Sequence, residues 1–134
     1  MRSTHETPHI LKELGLEFIA CYLNDDQPYP LQTRHGPLLA IPYSNDLNDY
    51  RMFSRCGMST DGALGMMSEG FDQMYLGGAE NGRILNVGMH PHVMGQAWAV
   101  REFVEYVKSK DHVWMPKREE IAAWYNEDCA DHIS

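Results

Sequence analysis

Short apolar runs alternate with amphipathic stretches along most of the chain, and glycine, proline or a polar cluster closes each one. That alternation constrains the fold more than any other feature. Runs rich in branched and aromatic residues read as strands, and apolar residues at helical spacing read as helices. The predicted order is α-β-β-α-β-α-β-α, which favours a largely parallel sheet with helices packed outside it. Four strands are few for such a sheet and leave apolar edges to be covered. A homo-oligomer, or a complex with a separately encoded partner, is therefore expected.

Thr7-Pro8 predicts a helix start, Ile10, Leu11 and Leu14 one apolar face, and Gly15 a stop. Strands are predicted at 16–22 and 38–43, separated by the polar, proline-containing loop 24–30. Ser59-Thr60-Asp61 caps a helix carrying Leu64, Met67, Phe71, Met74 and Tyr75 on one stripe, closed by Gly77-Gly78. A third strand is predicted at 83–89, a helix from about 96 to 110, a fourth strand at 112–115, and a last helix opening at 116–120. Ile121, Trp124 and Tyr125 would form the apolar face of that helix. No repeat or linker interrupts the 134 residues, which are read as one domain.

Composition removes several classes of function. Eleven basic residues against 19 acidic ones give a net charge of −8, which argues against a nucleic-acid binder. No run is long and apolar enough for a membrane span, and the first residues lack a signal-peptide layout. Cys21, Cys56 and Cys129 are odd in number and far apart, so they are read as small buried thiols of a reducing cytoplasm. Cytoplasmic location is the corresponding expectation. The methionines are read as core filler, as are Trp98, Trp114 and Trp124.

Three polar loops would leave the carboxyl ends of strands, where α/β folds collect their functional groups: 24–29, 44–49 and 90–96. His90 stands at the end of the third strand, and imidazole can give and take a proton near neutral pH. His92, two residues on, would point to the opposite face of a strand, a poor chelating arrangement, and no metal site is read from the pair. Asp25, Asp26, Asp46 and Asp49 are candidate carboxylates for orientation or proton transfer, although Asx residues beside proline are also ordinary turn formers. Asn45 and Asn48 could bond an amide or ureide, and Arg2 and Arg51 a carboxylate. Asp111-His112 is assigned no role.

Taken in order, Asn24-Asp25-Asp26-Gln27-Pro28-Tyr29, Ile41-Pro42-Tyr43-Ser44, Asn48-Asp49, Val87-Gly88-Met89-His90-Pro91 and Gly95-Gln96 resemble the later part of a polysaccharide deacetylase domain. The likeness is closest to the branch with allantoinase-like and peptidoglycan-deacetylase-like proteins. Val113-Trp114-Met115-Pro116 and the segment 120–125 are similar to the end of that branch. The resemblance implies half of a distorted (β/α) barrel, with about four mostly parallel strands and flanking helices. It also implies hydrolysis of a non-peptide C–N bond, in an N-acetyl sugar or a cyclic ureide such as allantoin. By resemblance His90 would be the catalytic acid or polarising group, and Asp25, Asp26, Tyr29, Tyr43 and Asn48 would bind substrate.

The family's first half carries an aspartate pair and an H-x-x-x-H motif that supply the general base and, in most members, metal ligands. Both are expected to lie outside this chain, so no cofactor is expected from its own residues. A divalent metal such as zinc would enter only with ligands from the missing half. Whether the isolated chain is an enzyme is left open by this reading, since general-base assistance is worth about 10²–10⁴ in rate. The alternative is a non-catalytic ligand-binding or oligomerisation module derived from the same family.

Overall fold

The computed structural model describes residues 3–94, 97–129 and 131. In chain order the elements are α1 (Thr7–Glu13), β1 (Phe18–Ile19), β2 (Tyr29–Leu31), β3 (Leu38–Ala40), a π-helix (Tyr50–Arg55), α2 (Thr60–Gly78), α3 (Ala97–Lys108) and α4 (Arg118–Asp128). They belong to two compact units, one containing residues 1–43 and 115–134 and the other residues 44–114. Arg2, Gly95 and Gln96, which entered the sequence reading, lie outside the described residues.

In the first unit α1 begins beside Pro8 and ends where the sequence indicates. Gly15 takes φ 82, the Gly15 N–H bonds the Lys12 carbonyl, and the Leu16 N–H bonds the Leu11 carbonyl. These are the two bonds of a Schellman stop, which needs a residue tolerant of positive φ. The sheet order is β1-β3-β2, with β1 parallel to β3 and β2 antiparallel to it. Leu38 and Ala40 are fully buried and Ile19 nearly so, with Leu11, Tyr22, Tyr29 and Leu31 packed against them. In α4 the Glu120 carboxylate accepts the Lys117 N–H at 2.6 Å, and Ile121, Ala122 and Tyr125 are buried.

The second unit is built on two helices. Ser59 accepts the Gly62 N–H at 3.2 Å and starts α2. Ala63, Met67 and Phe71 of α2 and Ala99, Phe103 and Val107 of α3 are buried in one cluster with Leu47, Met52 and Met94. Both helices present residues four apart, the spacing that forms a continuous ridge along a helix surface. The Tyr106 hydroxyl adds a polar tie between them, donating to Asp72 at 2.5 Å.

Several sequence expectations need correction. The mixed α/β character holds, but the described sheet has three strands, one of them antiparallel. β2 lies inside the segment read as a loop; Pro30 has no N–H to donate, which suits an edge strand. The 83–89 segment forms no ladder and makes a single parallel bridge, Gly88 to Asn48. No strand forms at 112–115, where His112 takes φ 59, a left-handed conformation incompatible with an extended run. On α1, Leu11 packs inward, whereas Ile10 and Leu14 are exposed. Trp98, Trp114 and Trp124 are 51%, 58% and 44% exposed rather than core. Cys21 and Cys56 are exposed and Cys129 half-buried, all three as free thiols. No described helix is long and apolar enough to cross a membrane.

Candidate functional site

The 44–114 unit brings together two residues that are 41 positions apart. Gly88 donates its N–H to the Leu47 carbonyl at 2.8 Å and accepts the Asp49 N–H at 2.9 Å. This pair of backbone bonds sets the register of the 47–49 segment against 88–90. Asp49 is completely buried. Its Oδ2 accepts the backbone N–H of His90 at 2.5 Å, and its Oδ1 lies 2.6 Å from His90 Nδ1. The His90 side chain remains 42% exposed.

An ionised carboxylate can only accept, so this contact assigns the ring hydrogen to Nδ1. Nε2 is then the nitrogen turned to other chemistry, accepting a proton when the ring is neutral and donating one when it is charged. The sequence marks Asp49 as a candidate carboxylate but does not place it in the site. Its partner could not be named from the sequence because nothing local links positions 49 and 90.

Two further rings border His90. Tyr50, the first residue of the π-helix and 48% exposed, has its ring 6.3 Å from that of His90. The His92 ring lies 5.7 Å away at 76°, edge to face. The sequence expectation placed His90 and His92 on opposite faces of a strand. The chain turns instead at Pro91, with the His90 carbonyl accepting both the Val93 and the Met94 N–H at 2.9 Å, and the two rings meet. Proline after the first residue of a tight turn has its φ preset for that conformation.

The other candidates divide between the two units. Asn48 lies beside Asp49, and its side-chain oxygen accepts the N–H groups of Tyr50 at 3.1 Å and Arg51 at 3.4 Å. It therefore caps the π-helix that presents Tyr50. Arg51 pairs with Asp46 at 3.0 Å on the surface. Asp25, Asp26, Tyr29 and Tyr43 belong to the other unit. There Asp25 Oδ1 accepts the Asp26 and Gln27 N–H groups, an Asx turn, and the Tyr29 hydroxyl donates to Asn24 at 2.6 Å. Burial pushes the Tyr29 hydroxyl above its ordinary range, partly offset by that bond.

An H-x-x-x-H spacing does occur in the chain, at His5 and His9, contrary to the expectation that such a motif lies elsewhere. Its members are engaged in surface contacts. His5 Nε2 lies 3.4 Å from Glu6, and His9 Nδ1 accepts the Arg34 N–H at 3.0 Å. Among the described residues no three His, Cys, Asp or Glu side chains converge as metal ligands. The residues present do not by themselves fit the divalent metal of the resembled family.

Comparison with known proteins supplies the context for this arrangement. A Schizosaccharomyces pombe protein, provisionally named a polysaccharide deacetylase, is 31% identical over 86% of this chain and 41% of its own length. Among solved structures, Puue allantoinase matches with a TM-score of 0.85 and 30% identity, over 94% of this chain and 44% of that one. Two further polysaccharide deacetylases, also provisionally named, match with TM-scores of 0.84. The one from Pseudomonas aeruginosa PAO1 is 29% identical, covering 95% of this chain and 45% of its own. The one from Mycobacterium smegmatis is 25% identical, covering 96% and 47%. The chain is a partial relative of the polysaccharide deacetylases. It spans less than half the length of each of these proteins, and no family model matches it.

Proposed function

We propose that this chain carries the Asp49–His90 side of a polysaccharide deacetylase-like site that hydrolyses a non-peptide C–N bond. The observation that carries the proposal is the 2.6 Å contact between a fully buried carboxylate and one nitrogen of a half-exposed imidazole. A carboxylate in that position fixes the tautomer and orientation of the ring. In amide or ureide hydrolysis the C–N bond breaks only if the departing nitrogen gains a proton. His90 Nε2–H is the donor for that step, and the neutral ring then recovers a proton from solvent.

The names of the relatives support an N-acetylated sugar, or a cyclic ureide such as allantoin, as the proposed substrate class. Groups that activate the attacking water are proposed to come from outside the described residues. They would lie in a further segment of such a domain, in a second copy, or in a separately encoded partner. Asp26, Tyr29 and Tyr43 belong to the other unit and are candidate ligand contacts of that unit by itself. Asn48 and Asp25 spend side-chain oxygens on backbone N–H groups and so hold their loops in shape; the second reading is a non-catalytic ligand-binding or oligomerisation module built on those loops.

The test is an assay for acetate release from N-acetylated sugar oligomers and for ring opening of allantoin, with the rest of the site supplied. Wild type is compared with His90→Gln and Asp49→Asn. Turnover unchanged by His90→Gln would sink the proposal, whereas ligand binding without any turnover would establish the second reading.

A further inference from the structure

We propose that His92 is a positioning residue for His90, packing against its ring so that the ring does not swing away from Asp49. The inference rests on the proposed role of His90, but the packing itself is independent of any reaction. A histidine whose side chain is 42% exposed is free on one side to swing out to solvent and leave its buried carboxylate partner. Asp49 fixes Nδ1 and the backbone N–H but touches only one edge of the ring.

His92 is placed to supply the missing restraint. Its ring meets that of His90 edge to face with centroids 5.7 Å apart, within the range favoured by the opposite polarity of ring edge and ring face. The turn at Pro91, in which the His90 carbonyl is bonded to both Val93 and Met94, brings the two residues close enough for this contact. Tyr50 approaches from the π-helix at 6.3 Å and 59°, a looser contact. Among the described residues, the charged or titratable groups in contact with His90 are Asp49, through hydrogen bonds, and Tyr50 and His92, through their rings. His92 itself is exposed, so its place beside His90 is not forced by burial in the core.

The signature is the His90 Nδ1–H proton. Held against a carboxylate at 2.6 Å, it should resonate far downfield of ordinary imidazole N–H protons and exchange slowly with water. An edge-to-face ring contact changes the population of the held form by about two- to tenfold. The experiment is nitrogen-15 NMR of the chain with labelled histidine. Exchange of this proton is measured in wild type, His92→Ala and His92→Phe, with backbone spectra checking the fold.

His92→Ala should speed exchange by about two- to tenfold, and His92→Phe, which keeps a ring but no ionisable nitrogen, should restore it. Equal exchange in His92→Ala and wild type overturns the proposal. So does acceleration that His92→Phe fails to reverse, or absence of the downfield proton in wild type. A protected Nδ1–H in a protein that catalyses no hydrolysis, even with its site completed, would remove the catalytic reading and leave the positioning role standing.

Discussion

Asp49 spends both carboxylate oxygens on one residue, His90, one on the backbone N–H and one on the ring. A fully buried carboxylate is tolerated only with such donors, since an unpartnered charge in a low-dielectric interior is strongly disfavoured. Asp49→Asn keeps the shape but sets an N–H₂ against one of the two donors. The variant should lose roughly 1–3 kcal/mol of stability, and hydrolysis in a completed site should fall by about 10²–10⁴. Urea unfolding at constant m-value reads the first effect. A midpoint indistinguishable from wild type would show that the double contact is absent in solution.

What the sequence makes legible here is local. Gly15 as a stop, Ser59 as a cap and the alternation that marks α2 and α3 depend on residues a few positions apart, where backbone geometry decides. His90 is legible for the same reason, as an ionisable group before a proline. Asp49 is not, because its meaning comes from the Asn48–Gly88 bridge, which only the folded chain creates. The π-helix is equally hidden: Asn48 starts it by accepting two backbone N–H groups, and an Asn followed by Asp reads as a plain turn. Spacing of apolar residues likewise finds the faces of α1 but does not say which is inward, so Ile10 and Leu14 are exposed where burial is expected.

Gly70 of α2 lies against Leu47, in the segment leading into the site. A Cβ there would stand 3.1 Å from Leu47 Cδ1, whereas one at Gly65 would meet nothing within 4 Å. Leu47 is itself 7% exposed and packed in the core cluster. Gly70→Leu should therefore lower stability by roughly 1–3 kcal/mol, the usual cost of overpacking. Gly65→Ala should raise it by about 0.5–1 kcal/mol through helix propensity. Thermal unfolding of the pair decides the point, and equal shifts in the same direction would contradict the close packing.

Glu6 and Arg34 form a fork of two bonds at 2.9 Å. The Arg34 guanidinium holds the Glu6 carboxyl below the ordinary glutamate value of 4.5. A depressed acid contributes stability that is present above its unfolded value and lost as pH falls through its folded one. Wild type should therefore exceed Glu6→Gln in melting temperature above about pH 4.5, with the gap closing on further acidification. A gap that stays constant down to acid would mean that the fork does not govern it.

Tyr106 provides the opposite sign within the other unit. Its hydroxyl donates to Asp72, and that bond, with a smaller contribution from burial and an opposing one from Lys110, holds the phenol above its ordinary range. A raised folded value contributes stability that is complete below the unfolded one, near pH 10, and lost as pH rises through the folded one. Tyr106→Phe retains the ring that meets Phe71 edge to face at 5.8 Å, so only the hydroxyl bond is removed. The variant should melt below wild type at neutral pH, and the two curves should converge above about pH 10. Calorimetry across that range tests the tie between α2 and α3, and identical melting at pH 7 would show that the hydroxyl bond adds nothing to it.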